Sequence, residues 1–152
     1  MNDTWKEGIQ NFLNSNFGFQ TEKIDLYKEA LTHSSGGLPN NQRLAFLGDS
    51  VLKLIIREHY FTELPDWTRG RLTSHKCDLI ETDENYAKIA SNLNIFEHIK
   101  LGETYNNRRD DANTPTVNAE AFEAIFGAIY LDKGFVETKE IVEKLNRKIT
   151  FL

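Results

Sequence analysis

The segment from Asn41 to Leu54 reads NQRLAFLGDSVLKL. Its apolar residues, Leu44, Leu47, Val51 and Leu54, recur at helical intervals, and the pattern continues through Ile55 to about Tyr60. The segment is therefore predicted to be a long helix packed against a core. Gln42, Ala45 and Asp49 break the apolar pattern at spacing i, i+3, i+7, which places them on one face. A carboxylate in the middle of a largely buried helix is costly unless it is paired or bound to a cation, so Asp49 requires a partner.

The rest of the chain reads as further helices. WKEGIQNFLNSNF spaces Trp5, Ile9, Phe12 and Leu13 as one helix, and Asp25 to His33 (DLYKEALTH) as a second with Asp25 as its cap. SSGGLPNN is the clearest loop and delivers the chain to Asn40 or Asn41, either of which can cap the long helix. Pro65 and Asp66 are expected to start a helix running through Arg71, Cys77 and Ile80, and Thr82 with Asp83 to cap the next. The polar stretch LGETYNNRRDDANTPT is expected to be a mobile loop. NAEAFEAIFGAIYLDKG then forms a strongly apolar helix ended by Gly134. FVETKEIVEKLNRKI follows as an amphipathic helix with basic residues in its last turns, matching the helix dipole. Strand patterns, internal repeats and low-complexity segments are absent. An all-α single domain over residues 1–152 is expected.

Composition narrows the class. Hydrophobic residues make up 39% of the 152 and charged residues 27%, enough for a core and a solvated surface. No apolar run approaches the roughly 18 residues that span a bilayer, and the opening MNDTWKEGIQNFL lacks the pattern of a secretory leader. The single cysteine, Cys77, excludes an internal disulfide and a cysteine metal cage, so a cytoplasmic setting is the default. A net charge of −5 argues mildly against a nucleic-acid binder, although local patches and bound cations decide the field at a site.

A second helix carries acids among core residues. Glu120 and Glu123 are spaced i, i+3, with Phe122, Ile125, Phe126 and Ile129 around them. Three carboxylates from two facing helices would form a hard oxygen site of the kind magnesium takes, completed by waters and substrate phosphate. The plainer readings are that Asp49 pairs with Arg43 or Arg57, and that Glu120 complements the N-terminal end of its helix dipole.

Three motifs carry a family resemblance. NQRLAFLGDSVL resembles the ribonuclease III signature, AEAFEAIFGAIYLDKG its second acidic motif, and EALTHSS (Glu29 to Ser35) the segment before the signature loop. They fall in the family's order and cover roughly residues 5 to 150. The resemblance implies a helical endonuclease domain that forms a homodimer. Two domains would hold double-stranded RNA in a cleft, and each would cut one strand with magnesium, leaving 5′-phosphate and 3′-hydroxyl ends. Manganese would be a possible substitute. Asp49 matches the signature aspartate, Glu123 the glutamate of the second motif, and Glu120 a position where the family usually has aspartate. These three are the expected catalytic metal ligands. Phe46 matches a knob that packs into the partner subunit.

The departures lie at the same site. Ala45 stands where the family has a metal-binding glutamate, and Gln42 where it has another glutamate. Each site thus lacks two formal negative charges, and Gln42 could at most orient a water. Two outcomes are implied: an enzyme in which Glu120 and water compensate, or a module that binds structured RNA without cutting.

Arg69, Arg71, His75 and Lys76 cluster at about helical spacing, either as phosphate contacts or as a solvated face. Arg108 and Arg109 could also touch RNA, though Asp110 and Asp111 follow them directly. Lys144, Arg147 and Lys148 read as surface. His33, His59, His75 and His98 show no paired metal-ligand spacing, His33 reads as a structural hydrogen-bonding residue, and Cys77 as structural. The chain ends without the double-stranded-RNA-binding domain that typical bacterial members append, so weak sequence preference and strong salt dependence are expected.

Overall fold

A computed structural model describes residues 3–152, which leaves Met1 and Asn2 of the N-terminal stretch outside the description. Eight α-helices follow in order: α1 (Thr4–Phe17), α2 (Ile24–Ala30), α3 (Gln42–Glu63), α4 (Arg69–Leu72), α5 (Asp78–Ile80), α6 (Asp83–Asn92), α7 (Pro115–Lys133) and α8 (Phe135–Ile149). The described residues contain no β-strand, and the one ladder-like contact is an isolated parallel bridge between Thr32 and Lys100.

The core is built around α7. Ala121, Phe122, Ala124, Ile125, Phe126, Ala128 and Ile129 are all fully buried, so this helix is apolar nearly all round and is enclosed by its neighbours. Thr114 caps it, with Pro115 at its first turn, and Gly134 at φ 83° ends it. α3 and α6 pack on α7 most extensively, with α2 and α8 completing the enclosure. α3 crosses α7 at unusually close range. A side chain at Gly48 would overlap the carbonyl of Glu123 and stand 2.8 Å from the amide nitrogen of Gly127, and one at Gly127 would overlap the carbonyl of Leu44. Only glycine at both positions permits this approach.

Several boundaries differ from the sequence expectation. α2 ends at Ala30, not His33, because the next residues turn away: Thr32 bridges to Lys100, whose carbonyl accepts from the His33 amide, and the Thr32 hydroxyl donates back to the Lys28 carbonyl. Asp25 lies in the first turn of α2 and Lys23 holds the cap position. At α3, Asn41 makes no side-chain cap, and the Asn40 side chain accepts from the Gln42 amide instead. α3 continues past Tyr60 to Glu63. Pro65 and Asp66 form a turn, and helix resumes only where the Thr68 hydroxyl accepts from the Arg71 amide. Between α4 and α5 the chain widens into a π-helical turn over Thr73–Cys77.

The stretch expected to be a mobile loop is tied down. It contains short 3₁₀ turns at Glu103–Tyr105 and Arg109–Ala112, and the Gly102 amide donates to the Ser35 hydroxyl. Arg109 donates to the carbonyls of Phe96 and Ile99 at 2.6 and 2.9 Å and lies over the Phe96 ring. No helix among the described residues is long and apolar enough to cross a membrane.

Candidate functional site

The close crossing of α3 and α7 builds a polar pocket of about 410 Å³ on the surface. α3 lines it with Gln42, Ala45, Phe46, Asp49 and Lys53, and α7 with Glu120 and Glu123. The turn from α5 into α6 adds Glu81 and Asp83. The structure therefore brings together Asp49, Glu120 and Glu123, as the spacing of the two helices anticipated.

Each carboxylate has a distinct environment. The Lys53 ammonium donates to Asp49 at 2.8 Å across one helical turn, and that bond holds Lys53 above its ordinary range. This ion pair, not one with Arg43 or Arg57, is the partner that Asp49 requires. Arg57 instead forms a two-pronged bond to Glu81, at 3.0 and 2.9 Å. The Gln42 amide donates to Glu120 at 3.1 Å and to the Asn41 side chain at 3.2 Å. Glu123 is half-buried, and burial, followed by the neighbouring charges of Asp49 and then Asp83, pushes its carboxyl up to about 8. Burial thus disfavours the charged form of Glu123 first, and the facing carboxylates add to that.

Those observations test the pocket against a divalent cation. Partly buried carboxylates that repel one another, on two rigidly crossed helices, are the hard oxygen donors that magnesium and manganese accept. The donors fit in kind. In this arrangement Lys53 and Gln42 engage Asp49 and Glu120, and no three acidic, histidine or cysteine groups among the described residues converge as ligands. Binding a cation would require those side chains to exchange Lys53 and Gln42 for it. Ala45 is buried at 7% exposure and presents only a methyl group to the pocket.

The basic cluster lies elsewhere. Arg71 stacks on Trp67 at 4.3 Å, Lys76 reaches the rings of Tyr60 and Trp67, and His75 meets Trp67 edge-on. Arg69 and Trp67 line an apolar groove of about 730 Å³ together with Leu54, Phe61 and Leu72. None of the four basic residues lines the acidic pocket. Arg109 is consumed by backbone carbonyls and is no free cation for RNA, while Arg108 faces Asp111 at 3.9 Å. His33 accepts from the Ser35 amide through Nδ1, the structural role anticipated for it. Phe46 is 81% exposed at the edge of the acidic pocket.

Sequence reasoning missed Gly48, Lys53, Glu81 and Asp83. A glycine inside an otherwise strong helix is a signal of close approach. Lys53 was legible as the i+4 partner of Asp49. Glu81 and Asp83 flank a capping threonine and look like ordinary dipole complements, so nothing in their spacing pointed to the pocket.

The chain is similar in sequence and fold to known proteins. A family model described as ribonuclease-III-like matches residues 23–149. The chain is 42% identical over 120 residues to Ribonuclease 3 of Dechloromonas aromatica, covering 79% of this chain and 53% of that protein. It is 40% identical over 129 residues to Ribonuclease 3 of Nitratiruptor sp., covering 84% of this chain and 56% of that one. It thus spans about half the length of the curated relatives it matches. Among solved structures, the ribonuclease III nuclease domain of Campylobacter jejuni superposes with a TM-score of 0.84 at 32% identity, covering 93% of this chain and 98% of that one. That structure is described as flexible in the region involved in its dimer formation. A second structure of the same domain gives a TM-score of 0.82 at 33% identity, covering 92% and 95%.

Proposed function

The chain belongs to the ribonuclease-III-like family, and we propose that it is an endoribonuclease that cuts double-stranded or structured RNA to 5′-phosphate and 3′-hydroxyl ends. The carrying observation is the placement of Asp49, Glu120 and Glu123 in one pocket, at a helix crossing too close to admit a side chain at Gly48 or Gly127. Asp49, Glu120 and Glu123 would hold magnesium, with manganese as substitute. When bound, such a cation supplies an activated water and neutralises charge on the phosphate. Lys53 and Gln42 keep Asp49 and Glu120 partnered until then, and the freed Gln42 amide can orient a water.

The active form we infer is a homodimer. Phe46, Leu54 and Phe61 leave an apolar stripe along α3, at 81, 56 and 73% exposure, which a second copy would cover. Arg69, Arg71 and Lys76 would meet RNA phosphates and set its position without reading sequence. Residues 1–152 act as one domain, and the lone buried thiol of Cys77 suits the reducing cytoplasm.

One observation favours a second reading. Ala45 offers no ligand and Gln42 no charge, so the same fold could grip structured RNA without cutting it. Labelled duplex RNA incubated with magnesium or manganese, beside a Glu123→Gln variant, separates the two. Cutting by the original chain alone supports the enzyme, whereas binding by both chains with cutting by neither supports the binding module.

A further inference from the structure

Lys53 is the one cation among the side chains that line the acidic pocket, against five carboxylates: Asp49, Glu81, Asp83, Glu120 and Glu123. Arg57 reaches Glu81 from outside the pocket, so it does not answer the other four. The Lys53 ammonium reaches back one helical turn and donates to Asp49 at 2.8 Å. The two side chains are 37 and 32% exposed, and an ion pair this open contributes little to stability. Its place is the more informative property. The ammonium sits on an Asp49 oxygen that a divalent cation would need, in a pocket where Ala45 and Gln42 supply no negative charge. A lysine side chain is a flexible four-carbon stem that carries three donors and no acceptor. It can therefore leave Asp49 at little cost only for another anion.

We propose that Lys53 is a phosphate-binding residue that guards the cation position: its ammonium stays on Asp49 until a duplex RNA phosphate takes it, so that RNA and the divalent cation bind cooperatively. The inference rests on the nuclease reading of the same pocket and adds the regulation of that pocket. Without RNA, an Asp49 that turned to a cation would leave the Lys53 ammonium beside that cation with no anion to take. Without the cation, a phosphate reaching Lys53 would stand against the carboxylates of Asp49, Glu120 and Glu123. With both present, Lys53 exchanges Asp49 for the phosphate, Asp49 is freed, and neither charge is left unpaired. A lysine binds phosphate in this way as a point charge and reads no sequence. By linkage, RNA strengthens cation binding by the same factor as the cation strengthens RNA binding.

Calorimetric titration of the whole chain with Mn²⁺ near neutral pH, alone and with a short duplex RNA ending in 5′-phosphate, tests this directly. Such a duplex belongs to the product class of the proposed reaction, so it supplies phosphates without being consumed. In the original chain the duplex is expected to tighten Mn²⁺ binding by about fivefold or more. Lys53→Gln is expected to bind Mn²⁺ about fivefold or more tighter without RNA, and to lose most of the enhancement by the duplex. Lys53→Arg keeps the charge and is expected to keep most of the coupling. Lys88→Gln removes the same charge from a pair with Glu84 outside the pocket, and is expected to bind as the original chain does. A merely structural helix pair would shift the denaturation midpoint in Lys53→Gln and leave the Mn²⁺ affinity alone. Unchanged or weaker Mn²⁺ affinity in Lys53→Gln, or an undiminished enhancement by the duplex, overturns the inference. If Glu123→Gln loses binding at the same time, the cation site stands without a role for Lys53, and if Glu123→Gln also binds normally, the nuclease reading of the pocket fails with it.

Discussion

Gly48 lies directly against the backbone carbonyl of Glu123, so closely that a side-chain carbon at Gly48 would overlap it. This contact sets the distance between α3 and α7 and therefore between Asp49 and Glu123. Gly48→Ala is expected to force the helices apart and to destabilise the protein by roughly 3 kcal/mol, the upper part of the range for overpacking. Urea denaturation of the variant measures the loss, and an unchanged midpoint would mean that the crossing is wider than described.

His98 governs part of the acid response. Burial lowers its pKa, while the adjacent Glu97 opposes the shift, and its ring packs on Phe12 with centroids 4.8 Å apart. With the folded pKa below the unfolded value of about 6.5, the unfolded chain takes up the proton first. Stability from this group is present above that value and is lost as pH falls through the folded pKa. Melting temperature is expected to drop on acidification below about pH 6.5, and His98→Phe is expected to drop less over the same interval.

Phe46 projects into solvent from a helix whose opposite side supplies the core. Phe46→Asp is expected to leave monomer stability within about 0.5 kcal/mol, as for other surface changes, yet to shift the sedimentation of micromolar protein from dimer to monomer. A stable monomer in the original chain would remove the basis for a two-subunit cleft.

Arg71 and Lys76 are held over the rings of Trp67 and Tyr60, which pre-orders two cations on one exposed face. Replacing both with alanine is expected to weaken duplex RNA binding across unrelated sequences and to flatten the salt dependence by about one ion for each side chain that pairs with a phosphate. Filter binding at several salt concentrations reads both effects.

The helices were legible wherever apolar spacing was regular, as in α1, α3, α7 and α8, and the acids of α3 and α7 were legible because they interrupt that spacing. The end of α2 was not, because the pull comes from Lys100, far along the chain. The start of α4 was misplaced because Pro65 marks a possible first turn, whereas the Thr68 hydroxyl decides where the amides are satisfied. At the site, Asp49 pairs with Lys53 one turn along the same helix and not with an arginine. Glu81 and Asp83, at the turn into α6, reach the pocket because α6 packs on α7, a relationship that no local spacing encodes.

The pocket formed by Asp49, Glu120 and Glu123 is expected to cut RNA despite the alanine at position 45. Single-turnover cleavage of an end-labelled duplex in Mg²⁺, comparing the original chain with Ala45→Glu and Glu123→Gln, tests it most directly. The original chain is predicted to cut slowly to 5′-phosphate and 3′-hydroxyl ends, Ala45→Glu to cut about tenfold or more faster, and Glu123→Gln not to cut. No cutting by the original chain or by Ala45→Glu, or equal cutting by all three, would contradict it.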